Sequence, residues 1–249
     1  MPRVCFVSDL HLFARRSRGG EFLEAIRTAA TNSGACVFGG DIFDFRWSTL
    51  ASPQVTLKAS IQWLRELVRS VPGCQFHFVV GNHDDHPGLL AELPLLQSEL
   101  PNFAWERFVL RLGDTVFLHG DVADRKMSHH RLSHRRESFR HHPRTLWQHR
   151  AYHLLVQTRV HQLIPRLVYP KRIVAKRILA YLRSIHLGPE QGVKQVCFGH
   201  THRELDGFAL GDVLFHNGGA PIGKSRFRVL ELETGGSGFT TENTEITKI

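Results

Sequence analysis

Five short apolar runs in this chain each end in a polar cluster, and that repeated juncture limits the fold more than any other feature. VCFVS leads into Asp9-Leu10-His11, ACVFG into Gly40-Asp41, and FHFVV into Gly81-Asn82-His83-Asp84. TVFL leads into His119-Gly120-Asp121, and QVCF into Gly199-His200-Thr201-His202. Short runs rich in Val, Phe and Cys read as buried strands. Strands that each deliver Asp, Asn or His at the same end predict a site along one sheet edge, the usual place for a site in an α/β fold.

The connections agree with that reading. Residues 20–32 carry Phe22, Leu23, Ile26, Ala29 and Ala30 at helical spacing, closed by Asn32-Ser33-Gly34. Residues 54–70 repeat the pattern with Leu57, Ile61, Leu64 and Val68, and Pro72-Gly73 ends it. A shorter helix is expected over 88–97, beginning near Pro87. Strand and helix in alternation predict a parallel sheet. Residues 104–118 read differently, as two antiparallel strands around Gly113-Asp114, the second delivering His119.

Residues 122–190 interrupt the alternation. Their first half is polar; their second, from about Leu146 to Leu187, has apolar residues at helical spacing, limited by Pro165 and Pro170. The segment reads as a helical cap inserted in a core of 1–121 and 191–235, with 236–249 as a loose tail. Strands are expected again at 208–210, 213–216 and 227–233.

The formal net charge of +9 is concentrated in that cap. Residues 125–183 hold 15 Lys or Arg and a single acid, Glu137, whereas the rest of the chain is acidic on balance. One anionic partner surface is the simplest explanation. At 249 residues, 42% hydrophobic and 22% charged, the chain can bury a core of its own. It has no apolar run near the length of a spanning helix and no basic-then-apolar leader, so a cytoplasmic location is expected. Cys5, Cys36, Cys74 and Cys197 sit in or beside apolar runs without CxxC spacing and read as buried free thiols. Gly223-Lys224-Ser225 lacks the upstream glycine pattern of a phosphate-binding loop and reads as a turn.

Asp, His and Asn are the donors that a pair of divalent cations needs, with one carboxylate between them. Asp9 and His11 stand two apart on one turn, and Asp41 could bridge. Asn82 supplies an amide oxygen, and His119, His200 and His202 supply imidazoles. Together these make two four-ligand sites sharing Asp41, with room for water and a phosphate oxygen.

DxH, GD, GNHD, HGD and GHTH in this order resemble the calcineurin-like metallophosphoesterase family, over residues 4 to about 219 apart from the cap. The resemblance implies an α/β fold, double-ψ or sandwich-like, with two mixed sheets between helices and the inserted helical cap. It implies Asp9, His11, Asp41 and His202 on one metal, and Asp41, Asn82, His119 and His200 on the other. Mn²⁺ is expected, with Fe or Zn²⁺ as alternatives. His83 matches the histidine that contacts the substrate phosphate and assists the leaving group, and Asp84 would orient it. The activity implied is phosphoester or pyrophosphate hydrolysis by a hydroxide held between the metals.

The cap is similar in size and position to that of the UDP-2,3-diacylglucosamine pyrophosphatases, where it holds acyl chains above the metals. Those enzymes carry GNRD where this chain has GNHD, with His83. Expected partners are therefore a phosphorylated small molecule or a lipid-linked one, with peripheral contact between the cap and the inner membrane. Arg125, Lys126, Arg131, Arg135 and Arg136, soon after His119, are the expected substrate contacts together with Asn82; Arg15, Arg16 and Arg46 are secondary ones. The alternative is a phosphodiesterase or nuclease gripping nucleic acid with the cap, which has few aromatic residues for stacking bases. Oligomeric state is left open.

Overall fold

The structure is a computed structural model and is described for residues 2–140 and 169–235. The expected helical run over Leu154–Leu167 and the tail 236–249 lie outside the described residues.

Two five-stranded mixed sheets pack face to face. The first has the order β10-β1-β2-β3-β4, where β1 is Arg3–Val7, β2 Ala35–Gly39, β3 Gln75–Val79, β4 Phe103–Glu106 and β10 Leu230–Glu233. Its first four strands run parallel in chain order, and β10 pairs antiparallel with β1. The second sheet has the order β5-β6-β7-β9-β8, where β5 is Val109–Leu112, β6 Thr115–Leu118, β7 Gln195–Phe198, β8 Leu205–Leu210 and β9 Val213–Asn217. Within it β6, β7 and β9 are parallel, and β5 and β8 flank them antiparallel.

The topology departs from two sequence expectations. The run 104–112 is not one arm of a hairpin. The chain leaves β4 at Glu106, crosses between the sheets through Arg107 and Phe108, and enters β5 in the other sheet; only β5 and β6 form the expected antiparallel pair. The polar clusters therefore line the edges of two sheets rather than one.

Helices α1 (Leu23–Thr31), α2 (Pro53–Ser70) and α3 (Pro87–Glu99) cover the first sheet. α2 begins with a Ser52 side chain accepting from the Val55 N–H, and Pro53 occupies the first turn where its missing donor costs nothing. Its Ile61, Leu64 and Val68 are buried at helical spacing against Cys36, Phe38 and Phe76 in one apolar cluster. Each such side chain contributes roughly 1.5–3 kcal/mol by leaving water. The second sheet is covered by α5 (Lys171–Ser184), whose Val174, Ile178 and Leu182 pack with Val116, Leu118, Val196 and Phe198. α5 lies inside the segment expected to be the cap, and it forms the outer layer of the sandwich. α4 (His129–Arg140) adds Leu132 to the same cluster. The four cysteines are free and buried.

Between the sheets lie Val4, Phe6, Val37, Val79, Leu112, Phe117 and Cys197. His77, two residues before Val79 on β3, faces the same way. It is buried, and its Nε2 has no hydrogen-bond partner among the described residues. Burial lowers its pKa to about 4. The unfolded chain, where histidine titrates near 6.5, thus binds the proton that the folded chain refuses. Stability is expected to fall as pH drops from about 6.5 to 4, by on the order of 3 kcal/mol once complete. Urea denaturation across that range should show a flatter acid limb in His77→Phe; an unchanged slope would remove His77 as the cause.

Candidate metal centre

Each expected ligand leaves its strand at the C-terminal end. β1 is followed by Asp9 and His11, β2 by Asp41, β3 by Asn82 and His83, β6 by His119, and β7 by His200 and His202. The turns are tight. Asp9, His11, Asp41, His200 and His202 all have positive φ, between 46° and 64°, a conformation that non-glycine residues rarely adopt. Strained residues of this kind persist when the surrounding structure over-determines them, and they gather at functional sites. Glycine permits the approach of the turns. A Cβ on Gly81 would strike the Asp41 carboxylate, and one on Gly199 would strike that of Asp9.

The donors converge in three overlapping groups: Asp9, His11 and His202; His11, Asp41 and His83; Asp41, His119 and His200. Asp41 Oδ2 lies 3.3 Å from His119 Nε2 and 3.9 Å from His11 Nε2, so it stands between the two halves. His202 Nε2 is 3.4 Å from Asp9 Oδ1 and 3.1 Å from His11 Nε2. On the other side Asn82 Oδ1 is 2.9 Å from His119 Nε2 and 3.1 Å from His200 Nδ1, and those two imidazole nitrogens are 3.3 Å apart. All seven expected ligands are thus brought together.

The donor chemistry fits a pair of divalent cations. Carboxylate, amide and imidazole lone pairs crowd two small volumes, and imidazole nitrogens face one another where neither is a committed donor. Outer partners turn the rings that way. His119 Nδ1 lies 3.2 Å from the Gly39 carbonyl, which can only accept, so its Nε2 lone pair faces the centre. His11 Nδ1 lies 3.2 Å from Asp44 Oδ2, with the same consequence. Burial alone would raise the Asp41 carboxyl; the imidazoles of His119, His83 and His11 reverse that and hold it well below the usual carboxylate range. His119 in turn loses solvation by burial, yet Asp41 and Asp9 raise it to about 10. Protons and a cation compete for these lone pairs.

The carboxylate that orients His83 is Asp44, not Asp84. His83 Nδ1 is 2.9 Å from Asp44 Oδ1, and the backbone N–H of His83 donates to Asp41 Oδ1 at 2.7 Å. Asp84 is fully buried and accepts from the backbone N–H groups of Phe43, Ile42 and Gly81, so its role is to fasten the Asp41 turn to the Asn82 turn. Burial and the nearby Asp41 push it up to about 7. Asp44 falls three residues after Asp41 on one tight turn, a spacing that could have singled it out.

The basic residues after His119 separate. Arg125, Lys126 and Arg131 are exposed and line neither cavity beside the centre. Arg135 and Arg136 line one cavity, together with Asp41, Asn82 and His200, but each is bound to an acid. Arg135 pairs with Asp124 and Arg136 with Asp121. Arg136, expected to touch substrate, is buried structure. The other cavity holds Arg15, Arg16, Ser17, Trp47 and Ile222, and both cavities open on His83 and His202. Its walls are stitched by backbone, Arg18 N–H to Pro221 carbonyl at 2.8 Å and Thr49 N–H to Phe13 carbonyl at 2.9 Å.

Among known families, the model of the calcineurin-like phosphoesterases matches residues 2–204. No curated protein matches the chain. One solved structure aligns over 94% of this chain and 100% of its own, at 11% identity and a TM-score of 0.41, a likeness too slight to carry any argument.

Proposed function

Because the chain belongs to the calcineurin-like phosphoesterase family, we propose that it hydrolyses a phosphoester or pyrophosphate of a small or lipid-linked molecule at a dinuclear centre divided by Asp41. The chain is a metal-dependent phosphoesterase. The observation that carries the finer reading is the convergence of seven donors from two sheets around one buried carboxylate.

Asp9, His11, Asp41 and His202 would hold one cation, and Asp41, Asn82, His119 and His200 the other. Two divalent cations, Mn²⁺ first and Fe or Zn²⁺ as alternatives, supply Lewis acidity toward phosphate oxygens and lower the pKa of water. The chain supplies the rest. His83 sits between the two cavities, its Nδ1 held by Asp44 and its ring edge-on to His11 with centroids 4.9 Å apart. Burial would lower its pKa, but Asp44 and Asp41 raise it to about 9 in the cation-free chain, and Asp44, held on Nδ1, favours the protonated ring. Nε2 is then the atom that passes a proton to the departing oxygen. His83→Ala is expected to slow an alkyl phosphoester by about 10²–10⁴-fold. It should slow p-nitrophenyl phosphate far less, because p-nitrophenolate leaves without help. Equal losses on both substrates would remove the general-acid role.

Recognition of the group beyond the reacting phosphate falls to the cavity lined by Arg15, Arg16 and Trp47, which opens directly on His83. Guanidinium groups there suit a second phosphate, and the indole suits a flat or apolar neighbour. A nucleotide-sugar lipid such as UDP-2,3-diacylglucosamine has both; His83 in place of arginine leaves simpler diphosphates equally suitable. No helix among the described residues is long and apolar enough to cross a membrane. The test is turnover of p-nitrophenyl phosphate, bis(p-nitrophenyl) phosphate and UDP-sugars by protein stripped of metal and reloaded with Mn²⁺. Cleavage of a diphosphate in preference to the monoester supports the reading; protein with two bound cations that cleaves none of them ends it.

A further inference from the structure

His11 gives its outer nitrogen to Asp44 and His119 gives its outer nitrogen to a backbone carbonyl. The outer nitrogen of His200 goes to Asp124, at 2.8 Å from Nε2 to Oδ1. Asp124 belongs to none of the motifs, and it is a junction. The Tyr169 hydroxyl donates to the same Oδ1 at 2.5 Å, and the Arg135 guanidinium of α4 binds Oδ2. Arg177 of α5 holds the backbone beneath it, donating to the carbonyls of Ala123 and Asp124 at 2.6 and 2.7 Å. Arg203, three residues after His200, donates to the Tyr169 carbonyl at 3.1 Å. The contacts close a ring: His200 to Asp124, Asp124 to Tyr169, Tyr169 to Arg203, and back along the chain. The Tyr169 ring also stands edge-on to His200, centroids 6.1 Å apart.

We propose that Asp124 is a positioning residue that holds His200 with Nε2 donating and Nδ1 facing Asn82 and His119, so that cation affinity in that half of the site depends on how α4 and Tyr169 are seated. A neutral imidazole has one donor and one acceptor nitrogen, and the partner of one decides the role of the other. A carboxylate can only accept, so it selects the Nε2–H tautomer and leaves the Nδ1 lone pair toward the centre. Three donors on one carboxylate, with its backbone clamped as well, fix its direction. The residues that flank 141–168 on both sides thus meet on the outer face of an expected ligand. The inference rests on the dinuclear reading above.

The test measures cations directly. Wild type, Asp124→Ala, Asp124→Asn and Tyr169→Phe are loaded with Mn²⁺ or Zn²⁺ and dialysed against chelators of graded strength. Wild type is expected to keep two cations, and Asp124→Ala to release one of them about 10–100-fold more readily, as loss of an outer partner does elsewhere. Asp124→Asn, whose amide oxygen still accepts, and Tyr169→Phe should shift the same cation less. Imidazole ¹⁵N shifts of the metal-free protein at alkaline pH should show His200 as the Nε2–H tautomer in wild type and as a mixture in Asp124→Ala. Mere loosening of the fold would not produce that change. Wild type and Asp124→Ala holding both cations equally, or His200 protonated on Nδ1 in wild type, overturns the inference alone. Wild type that holds no cation overturns the dinuclear reading with it. If Asp124→Ala does not fold, Tyr169→Phe and Asp124→Asn decide.

Discussion

Asp41→Ala is expected to abolish turnover, with kcat on p-nitrophenyl phosphate falling by about 10³-fold or more. Among the described residues, Asp41 is the carboxylate that the converging groups share, close to His119 on one side and His11 on the other. Its removal leaves three donors for each cation and nothing to hold the two at a fixed separation. Lewis-acid stabilisation of phosphoryl transfer is worth several kcal/mol, and each 1.36 kcal/mol is tenfold in rate. The substitution also leaves His119 without the carboxylate that most raises its pKa. Metal content after gel filtration should fall along with activity. Asp41→Asn separates the two effects, because the amide keeps the hydrogen bond from the His83 N–H but contributes no charge between cations. An Asp41→Ala protein that retains two cations and wild-type kcat would dispose of the shared-carboxylate account.

The second large effect concerns stability. Arg136→Met is expected to cost about 3–5 kcal/mol, because it strands a buried carboxylate. Arg136 is only 1% exposed. Its Nε and Nη2 donate to the two oxygens of Asp121 at 2.8 and 2.9 Å, and Nη1 donates to the carbonyls of Val80 and Arg107 at 2.9 and 2.8 Å. The guanidinium also lies over the Phe108 ring, 5.1 Å from its centroid. One side chain of α4 thereby ties the end of β3 to the turn after β6, behind Asn82 and His119. Burial would raise the Asp121 carboxyl, and Arg136 instead brings it down to about 2. The carboxylate therefore contributes stability above its unfolded pKa near 3.9, which is lost as pH falls through about 2. Removing both partners, Arg136→Met with Asp121→Leu, should be less destabilising than Arg136→Met alone, since a well-packed apolar pair can replace a buried ion pair. Urea denaturation of the single and double variants measures this. A single variant within about 0.5 kcal/mol of wild type would mean that Asp121 finds water or another donor.

Arg136 shows where reading the chain as a string fails. Among Arg125, Lys126, Arg131 and Arg135 it reads as one more substrate contact, and nothing local tells them apart. Its burial depends on Asp121, Val80 and Phe108, which meet only after the sheets have packed. Asp44 and Asp124 escape notice although each stands three residues after a motif acid, Asp41 or Asp121. Their imidazole partners lie between 33 and 76 residues away in the chain. Asp84 misled in the opposite way. It adjoins His83 in sequence, but the turn aims it back at the amides of residues 42, 43 and 81. The run 104–112 gave no warning at Arg107 and Phe108 that the chain changes sheets there, because alternation continues on both sides of the crossing.

Strand ends, helical stripes and the seven candidate donors could be read from the amino acids alone, because each is set by neighbours within a few positions: a period of two or 3.6, a glycine before an aspartate, a histidine two after another. Which edges meet, which carboxylate stands behind which imidazole, and which arginine is buried were decided only when two sheets closed on a shared apolar layer. Those contacts join residues distant in the chain, and their geometry comes from the packing of whole surfaces, which no short window of sequence contains.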